Sequence, residues 1–124
     1  MNIVDSSGWL EYFAEGENVD FFAPAIEDTE NLIVPAVSIY EVFKRLLQLH
    51  GLDVAELRIA DLYKARLEDL TAPLALSAAQ LSVEYGLPMA DSLILATARA
   101  HDATLWTQDE HFKDIPSVKF IEKK

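Results

Sequence analysis

The sequence has 124 residues, of which 51% are hydrophobic. This size suits one globular domain over residues 1–124 and leaves no room for a second domain of ordinary size. The absence of cysteine excludes disulfides, thiolate catalysis and cysteine-ligated metal sites. A net charge of −11 argues against a broad basic face for nucleic acid.

The charge is unevenly distributed along the chain. Residues 1–43 hold nine acids and no Lys or Arg, whereas residues 44–124 hold twelve acids and all ten Lys and Arg residues. The second part can therefore still present a local basic rim. Lys44, Arg45 and Lys113 are candidates for contacts with a phosphate backbone, although ordinary solvated or ion-paired surface charges explain each of them as well. Arg45 is the best placed because it follows Glu41 by one helical turn, a spacing that also suits a simple ion pair.

Segments that would direct the chain to a membrane are not recognised. No apolar run approaches the roughly 18 residues of a membrane span, and residues 2–5 begin a strand with no signal-peptide pattern before it. We therefore expect a cytoplasmic protein with no membrane partner. The three histidines lack the spacing that places two imidazoles on one helical face, which disfavours a zinc site built from histidine.

Short apolar strands alternate with helices in the first half of the chain. Residues 2–4 form a strand, Ser6 or Ser7 caps the helix that follows, and Pro24 bends or begins the next helix. Residues 37–49 carry apolar side chains at helical spacing and end at Gly51. The predicted elements of this half are a strand at 2–4, a helix from 8, an acidic helix at 17–29, a strand at 31–35, a helix at 37–49 and a charged helix at 52–70.

The second half repeats the alternation after a break at residues 71–74. Gly86 ends a short helix, and Pro88 is well placed as the first residue of a helix rich in small residues. The predicted elements here are helices at 77–86 and 88–101, a strand at 103–107, a helical turn at 109–115 and a strand at 118–122. The pattern predicts an α/β sandwich with a mostly parallel sheet, and ligands bind such sheets at the carboxyl ends of the strands.

Four acids lie where this fold would bring them together. Asp5 and Asp109 lie at or just past strand ends, Glu41 lies one helical turn after a strand, and Asp91 lies in the first turn of a buried helix. In a domain with a radius of gyration of about 14 Å the four positions can converge. Crowded carboxylates repel one another and raise one another's pKa, so such a cluster favours a bound cation, and Mg²⁺ or Mn²⁺ prefers oxygen ligands.

Each acid also has a structural explanation. Ser38 and Glu41 have the spacing of a capping box, and so do Thr107 and Glu110. Asp5 can cap the helix after it, and Asp91 and Asp109 can be first-turn acids that interact with a helix dipole. The joint occurrence of four acids at one predicted edge favours a site.

The sequence resembles the PIN-domain family and, within it, the VapC toxins of toxin–antitoxin pairs. The resemblance is carried by "IVDSSGWLEYF" with Asp5, "LIVPAVSIYEVFKRL" with Glu41, "YGLPMADSLILATARAHDATLWTQDEHF" with Asp91 and Asp109, and the closing "IPSVKFI". Four such segments in this order span almost the whole chain.

This resemblance implies a PIN-like three-layer α/β/α sandwich and an endoribonuclease that uses Mg²⁺ or Mn²⁺ to activate water. It implies that Asp5, Glu41, Asp91 and Asp109 are the metal-site acids. Ser6 and Thr107 would help to arrange these acids, and each is equally explained as a plain N-cap. His111 stands where some relatives carry a further acid, so a second metal ion is less expected, and Glu110 or Asp114 matches that place poorly.

The same resemblance implies a homodimer and a cognate antitoxin that covers the acidic site. Residues 9–22, within the acidic first part of the chain, hold five of the twelve aromatic residues. We hypothesise that some of them form a hydrophobic groove for an antitoxin helix, and the alternative is that they fill the core. The five are Trp9, Tyr12, Phe13, Phe21 and Phe22.

Other classes of protein fit the sequence less well. A phospho-accepting receiver requires a further acid beside Asp5, and a haloacid-dehalogenase-type phosphatase requires Asp two residues later, whereas this chain has Ser6 and Ser7. The stronger alternative is a catalytically silent PIN fold that binds RNA or protein. Retention of all four acids favours the enzyme.

Overall fold

The computed structural model describes residues 1–124 as five strands in one sheet, flanked by six helices. The strands are β1 (Asn2–Val4), β2 (Leu32–Pro35), β3 (Arg66–Glu68), β4 (Thr104–Thr107) and β5 (Val118–Phe120). The helices are α1 (Ser6–Phe13), α2 (Val19–Glu27), α3 (Ala36–His50), α4 (Leu52–Leu62), α5 (Ala72–Tyr85) and α6 (Met89–Ala100). Short 3₁₀ turns cover Thr29–Asn31 and Glu110–Phe112.

All neighbouring strands are parallel, and their order across the sheet is β3-β2-β1-β4-β5. Successive residues of the central strands point to opposite faces, because side chains alternate along a strand. Ile3 packs in a cluster with α5 and α6, whereas its neighbour Val4 packs in a second cluster with α1 to α4. The sheet thus separates two hydrophobic layers, and the predicted three-layer α/β/α sandwich is confirmed.

The sheet has one more strand than the sequence pattern predicted. The predicted helix at 52–70 ends at Leu62, and Arg66–Glu68 forms β3, which pairs only with β2 at the edge of the sheet. Edge strands are often short and charged, so they lack the apolar run by which a buried strand is recognised. β3 has two exposed residues, Arg66 and Leu67, and this explains why the prediction was wrong.

Two helix starts also differ from the prediction. The segment at 71–74 is no break, because the Thr71 side chain accepts a hydrogen bond from Leu74 N–H and Pro73 lies in the first turn of α5. At α1 the capping residue is Asp5, and not Ser6 or Ser7 as predicted. The last predicted strand, 118–122, ends at Phe120.

The chain order creates a crevice between the two central strands. From β1 the chain continues to β2 on one side, and from β4 it continues to β5 on the other. Connections that diverge in this way leave a gap at the carboxyl ends of the two strands, where α/β proteins bind ligands. None of the six helices is long and apolar enough to cross a membrane.

Candidate active site

The four predicted acids meet at the carboxyl ends of β1 and β4. Asp5 directly follows β1, and Asp109 lies two residues beyond the end of β4. Glu41 projects from α3 and Asp91 from the first turn of α6. The charge of Asp109 raises the pKa of both Asp5 and Asp91, and that of Glu41 raises the pKa of Asp91. Ligand atoms within 4.8 Å of one another belong to Asp91, Asp109 and His111.

Asp5 is held by donors on both of its oxygens. Its Oδ1 accepts hydrogen bonds from Ser7 Oγ at 2.6 Å and from Gly8 N–H at 3.2 Å. Its Oδ2 accepts a hydrogen bond from Thr107 Oγ1 at 2.8 Å. Only 3% of the residue is exposed. The carboxyl group is therefore fixed in orientation while it also caps α1.

Burial dominates the ionisation of this group. Removal from water raises the pKa of Asp5 from 3.8 to about 7, and the nearby charge of Asp109 adds to the rise. The hydrogen bonds from Ser7, Thr107 and Gly8 act in the opposite direction, because they stabilise the carboxylate. At neutral pH, both the protonated and the charged form of Asp5 are therefore populated.

His111 joins Asp91 and Asp109. Its Nδ1 lies 2.8 Å from Asp91 Oδ2 and 3.2 Å from Asp109 Oδ1. Burial raises the pKa of Asp91, although its hydrogen bond with His111 opposes the rise. That hydrogen bond and the negative charge of Asp109 raise the pKa of His111. The imidazolium form of His111 therefore balances part of the negative charge of the cluster.

The side chain of Ser6 holds Glu41. The hydroxyl of Ser6 donates a hydrogen bond to Glu41 Oε1 at 2.6 Å, although the two residues are 35 positions apart. The capping box predicted for Ser38 and Glu41 is not formed, because α3 begins at Ala36 and the buried hydroxyl of Ser38 has no partner. The ion pair considered between Glu41 and Arg45 is also absent.

Thr107 links two acids. Its hydroxyl donates to Asp5 Oδ2 and accepts a hydrogen bond from Asp109 N–H at 2.9 Å. The 3₁₀ turn after β4 is capped by Asp109, whose Oδ1 accepts from His111 N–H at 2.9 Å, so the capping box predicted from Thr107 is wrong. The arranging position expected for Thr107 matches this geometry, and Ser6 likewise contacts an acid without acting as an N-cap.

The three predicted phosphate-binding residues lie in different surroundings. Lys44 Nζ lies 5.6 Å from the ring centre of Tyr40, and Arg45 donates to Gln48 Oε1 at 3.4 Å. Lys113 Nζ lies 3.9 Å from Glu122 Oε1. All three side chains belong to exposed residues.

The predicted aromatic groove is only partly compatible with the structure. Trp9 and Phe22 are fully buried in the core with the apolar side chains of α2, α3 and α4, so they cannot line an open groove, and this part of the prediction is wrong. Tyr12, Phe13 and Phe21 are partly buried. One apolar cavity, of about 430 Å³, has Phe13 in its lining, and another, of about 400 Å³, lies between α3 and α4. The residues of the cavity between α3 and α4 include none of the five predicted aromatics. The lining residues of this cavity are Ile39, Tyr40, Phe43, Lys44, Leu47, Ile59 and Tyr63.

Three residues around the site were not chosen from the sequence. Ser7 binds Asp5, and the buried side chains of Asn18 and Gln108 form a hydrogen bond of 2.9 Å beside the Asp109 loop. Asn18 and Gln108 are 90 positions apart and belong to no recognised motif. Their pairing is a tertiary contact that no local pattern indicates.

The fold and the site thus define a parallel α/β sandwich with an acidic cluster at its crevice. A family model described as PIN domain matches residues 3–118. The chain therefore belongs to the PIN-domain family, as its sequence motifs predicted. No curated protein matches the sequence.

Solved structures with the same fold include components of toxin–antitoxin systems. A toxin–antitoxin complex from Klebsiella pneumoniae has a TM-score of 0.81 at 20% identity, over 96% of each chain. A VapC toxin from Mycobacterium tuberculosis, described as cleaving the sarcin–ricin loop, has a TM-score of 0.77 at 18% identity, over 94% of this chain and 95% of that one. FitAcB from Neisseria gonorrhoeae has a TM-score of 0.72 at 19% identity, over 98% and 97%. These similarities extend over whole chains and establish a common fold.

Proposed function

We propose that this protein is a metal-dependent endoribonuclease and the toxin of a toxin–antitoxin pair. The observation that carries the proposal is the convergence of Asp5, Glu41, Asp91 and Asp109 around one crevice, with Asp5 buried and its pKa raised to about 7. Carboxylates in this arrangement repel one another unless a cation lies among them. An acidic site without such a cation would also repel a phosphodiester.

The donor set fits a divalent cation. Asp91, Asp109 and His111 each offer a ligand atom, and these atoms lie within 4.8 Å of one another. Asp91 and Asp109 would hold Mg²⁺ or Mn²⁺, with Asp5 and Glu41 completing the acidic surroundings, because these ions prefer oxygen ligands. When bound, such an ion supplies Lewis-acid activation of the attacking water and neutralises charge on the leaving oxygen.

The protein's own residues keep the carboxylates in place. Thr107 connects the backbone of Asp109 with the side chain of Asp5, so the ends of β1 and β4 stay in register. Ser6 holds Glu41 across the crevice. Acids fixed in this way need little reorganisation when cation and substrate bind, which is the main means by which preorganised sites lower a barrier.

The similar structures support the substrate and partner classes. One is described as a toxin that cleaves the sarcin–ricin loop, and others as toxin–antitoxin complexes. We therefore propose RNA as the substrate, action in the cytoplasm, and a cognate antitoxin as the protein partner.

Cleavage of a labelled pool of structured RNAs by the purified, partner-free protein tests the enzymatic function. We expect cleavage with Mg²⁺ or Mn²⁺, none with EDTA, and a loss of at least about 100-fold in Asp91→Asn, as is usual when a site carboxylate is neutralised. Asp102→Asn, which removes an exposed carboxylate before β4, at the opposite end of that strand from Asp109, is the matched control. No cleavage with metal present, or equal cleavage by Asp91→Asn, would favour a silent binding module.

The antitoxin proposal concerns the apolar cavity between α3 and α4. Tyr40 and Tyr63 are 63% and 60% exposed there, and Leu47 is 37% exposed, which is the kind of surface that an amphipathic helix covers. We expect Leu47→Asp to prevent capture by the co-expressed antitoxin.

We also propose a homodimer, since α5 carries the exposed apolar side chains of Leu76 and Val83 on the other side of the sheet. Sedimentation should show a dimer for the native protein and a monomer for Val83→Asp. The two substitutions are reciprocal controls, because Val83→Asp should retain antitoxin capture and Leu47→Asp should retain the dimer. If Val83→Asp remained dimeric, α5 would not form the interface.

A further inference from the structure

The residues after β5 are held by hydrogen bonds beside the loop that carries Asp109. Asn18 Nδ2 donates one hydrogen bond to Gln108 Oε1 at 2.9 Å and another to the backbone oxygen of Glu122 at 3.0 Å. Asn18 and Gln108 are 2% and 4% exposed. Ile121 N–H also donates to the backbone oxygen of Thr107 at 3.1 Å. The residues after β5 therefore keep a defined position beside the crevice.

This attachment brings Lys123 to a polar cavity of about 470 Å³ next to the acidic cluster. None of the residues that line the cavity is hydrophobic. They are Ser7, Gln108, Asp109, Glu110 and Lys123. Asp109 belongs to both the cavity and the acidic cluster, and Ser7 donates to Asp5, so the cavity adjoins the cluster.

Lys123, unlike Lys113, has no ion-pair or cation–π partner. Lys113 lies 3.9 Å from Glu122 Oε1 and 5.9 Å from the ring centre of Phe120. Lys123 forms neither an ion pair nor a cation–π contact. Its ammonium group is therefore free to bind an anion without first losing an interaction within the protein.

We propose that Lys123 binds a backbone phosphate of the RNA strand that enters the acidic crevice. The inference rests on the proposed ribonuclease function and names the residue that anchors the substrate. A chain with a net charge of −11 gains little from long-range attraction of RNA, so a local cation beside the reacting phosphodiester has a large effect on binding. The hydroxyl of Ser7 and the amide of Gln108 provide neutral polar surface in the same cavity.

Cleavage kinetics at several salt concentrations test this role, with a fluorescein-labelled stem-loop chosen from RNAs that the native protein cleaves. Lys123→Gln should raise KM roughly 5- to 10-fold and leave kcat within about 2-fold, because a lost phosphate contact weakens binding of the ground state and the transition state alike. The salt dependence of log kcat/KM should become shallower by about 0.7 to 1. Lys123→Arg, which keeps the charge, should restore KM.

Lys64→Gln is the matched control, since Lys64 is an exposed lysine beyond α4, near the opposite edge of the sheet. Equal KM values and salt slopes for Lys123→Gln and Lys64→Gln, in a protein that cleaves RNA, would overturn the role of Lys123 and leave the proposed ribonuclease intact. Absence of RNA cleavage by the native protein would overturn both.

Discussion

Nδ1 of His111 lies 2.8 Å from Oδ2 of Asp91, in the space between two carboxylates that would hold a cation. The contact with Asp109 Oδ1, at 3.2 Å, completes the bridge. The hydrogen bond with Asp91 and the charge of Asp109 together raise the pKa of His111. Its protonated ring and a metal ion therefore compete for the same pair of acids.

Binding of Mn²⁺ should strengthen as the pH rises through the raised pKa of His111. The sign follows because the imidazolium form is favoured at low pH and must lose its proton, or move, before the cation binds. Isothermal titration with Mn²⁺ at about pH 6 and about pH 8.5 measures the effect. His111→Ala should bind more tightly than the native protein at the lower pH and about equally at the higher pH.

His50→Ala is the control for this measurement, because His50 lies at the end of α3 and makes no contact with the cluster. A uniform loss of Mn²⁺ affinity in His111→Ala at both pH values would show instead that the imidazole is a metal ligand.

Neutralising Asp5 should stabilise the metal-free fold at alkaline pH. The folded pKa of about 7 exceeds the usual 3.8, so the folded state holds the proton more tightly and the free energy of unfolding falls as pH rises between these values. Above pH 7 the ionised Asp5 lowers the free energy of unfolding by its full amount, about 4 kcal/mol at most. Asp5→Asn removes this cost and keeps a side chain that caps helices well. Thermal unfolding at about pH 5 and about pH 8 should show a smaller decline for Asp5→Asn than for the native protein.

Asp69→Asn, at an exposed position, should decline as steeply as the native protein in the same experiment. Addition of Mn²⁺ at the higher pH should stabilise the native protein, because the ion binds only the folded state. If the melting temperatures of Asp5→Asn and the native protein fell equally between the two pH values, ionisation of Asp5 would not destabilise the fold.

Removal of the Ser6 hydroxyl should affect cleavage more than stability. Ser6→Ala frees Glu41 from its 2.6 Å hydrogen bond, and the loss of such a supporting contact lowers activity roughly 10- to 100-fold. The free energy of unfolding should change by about 1 kcal/mol or less, because the pair is only half-buried. Single-turnover cleavage and thermal unfolding measure the two effects.

Ser77→Ala, which removes an exposed hydroxyl on α5, should change neither quantity. Full cleavage activity in Ser6→Ala would show that Glu41 needs no positioning by Ser6.

A methyl group at Gly8 should displace α1. A Cβ at this position would lie 2.5 Å from Val4 Cγ1 and 2.6 Å from a ring carbon of Phe22, closer than packed side chains allow. Gly8→Ala should therefore lower the free energy of unfolding by about 1–3 kcal/mol, the usual cost of overpacking. Because Gly8 N–H also binds Asp5, cleavage should fall as well. An unchanged melting temperature would show that the ring of Phe22 moves aside without destabilising the protein.

Much of the fold follows from local patterns in the sequence. The strands β1, β2 and β4 have central positions, so they read as apolar runs, and their carboxyl ends locate Asp5 and Asp109. Asp91 was found because it lies in the first turn of a helix rich in small residues, and residues 91–98 of that helix are all buried. The family motifs, and not periodicity alone, identified these residues as one group.

The wrong predictions at the site concern contacts between distant segments. Ser38 and Glu41 have capping-box spacing, yet the bond that forms is the one from Ser6, because the crevice brings α1 beside α3. Trp9 and Phe22 were considered for a partner groove because local sequence does not reveal which aromatic side chains face the sheet. The same reason applies to the pair formed by Asn18 and Gln108.

Asp5 directly follows β1, and its carboxyl group caps α1 and contributes to the acidic cluster. A substitution there changes the scaffold and the chemistry at once, so an inactive Asp5 variant is a poor reporter of either. Asp91 makes its side-chain hydrogen bond only with His111. Asp91→Asn is accordingly the better choice for a variant that should keep the fold and lose the proposed activity, for example to trap an uncleaved RNA.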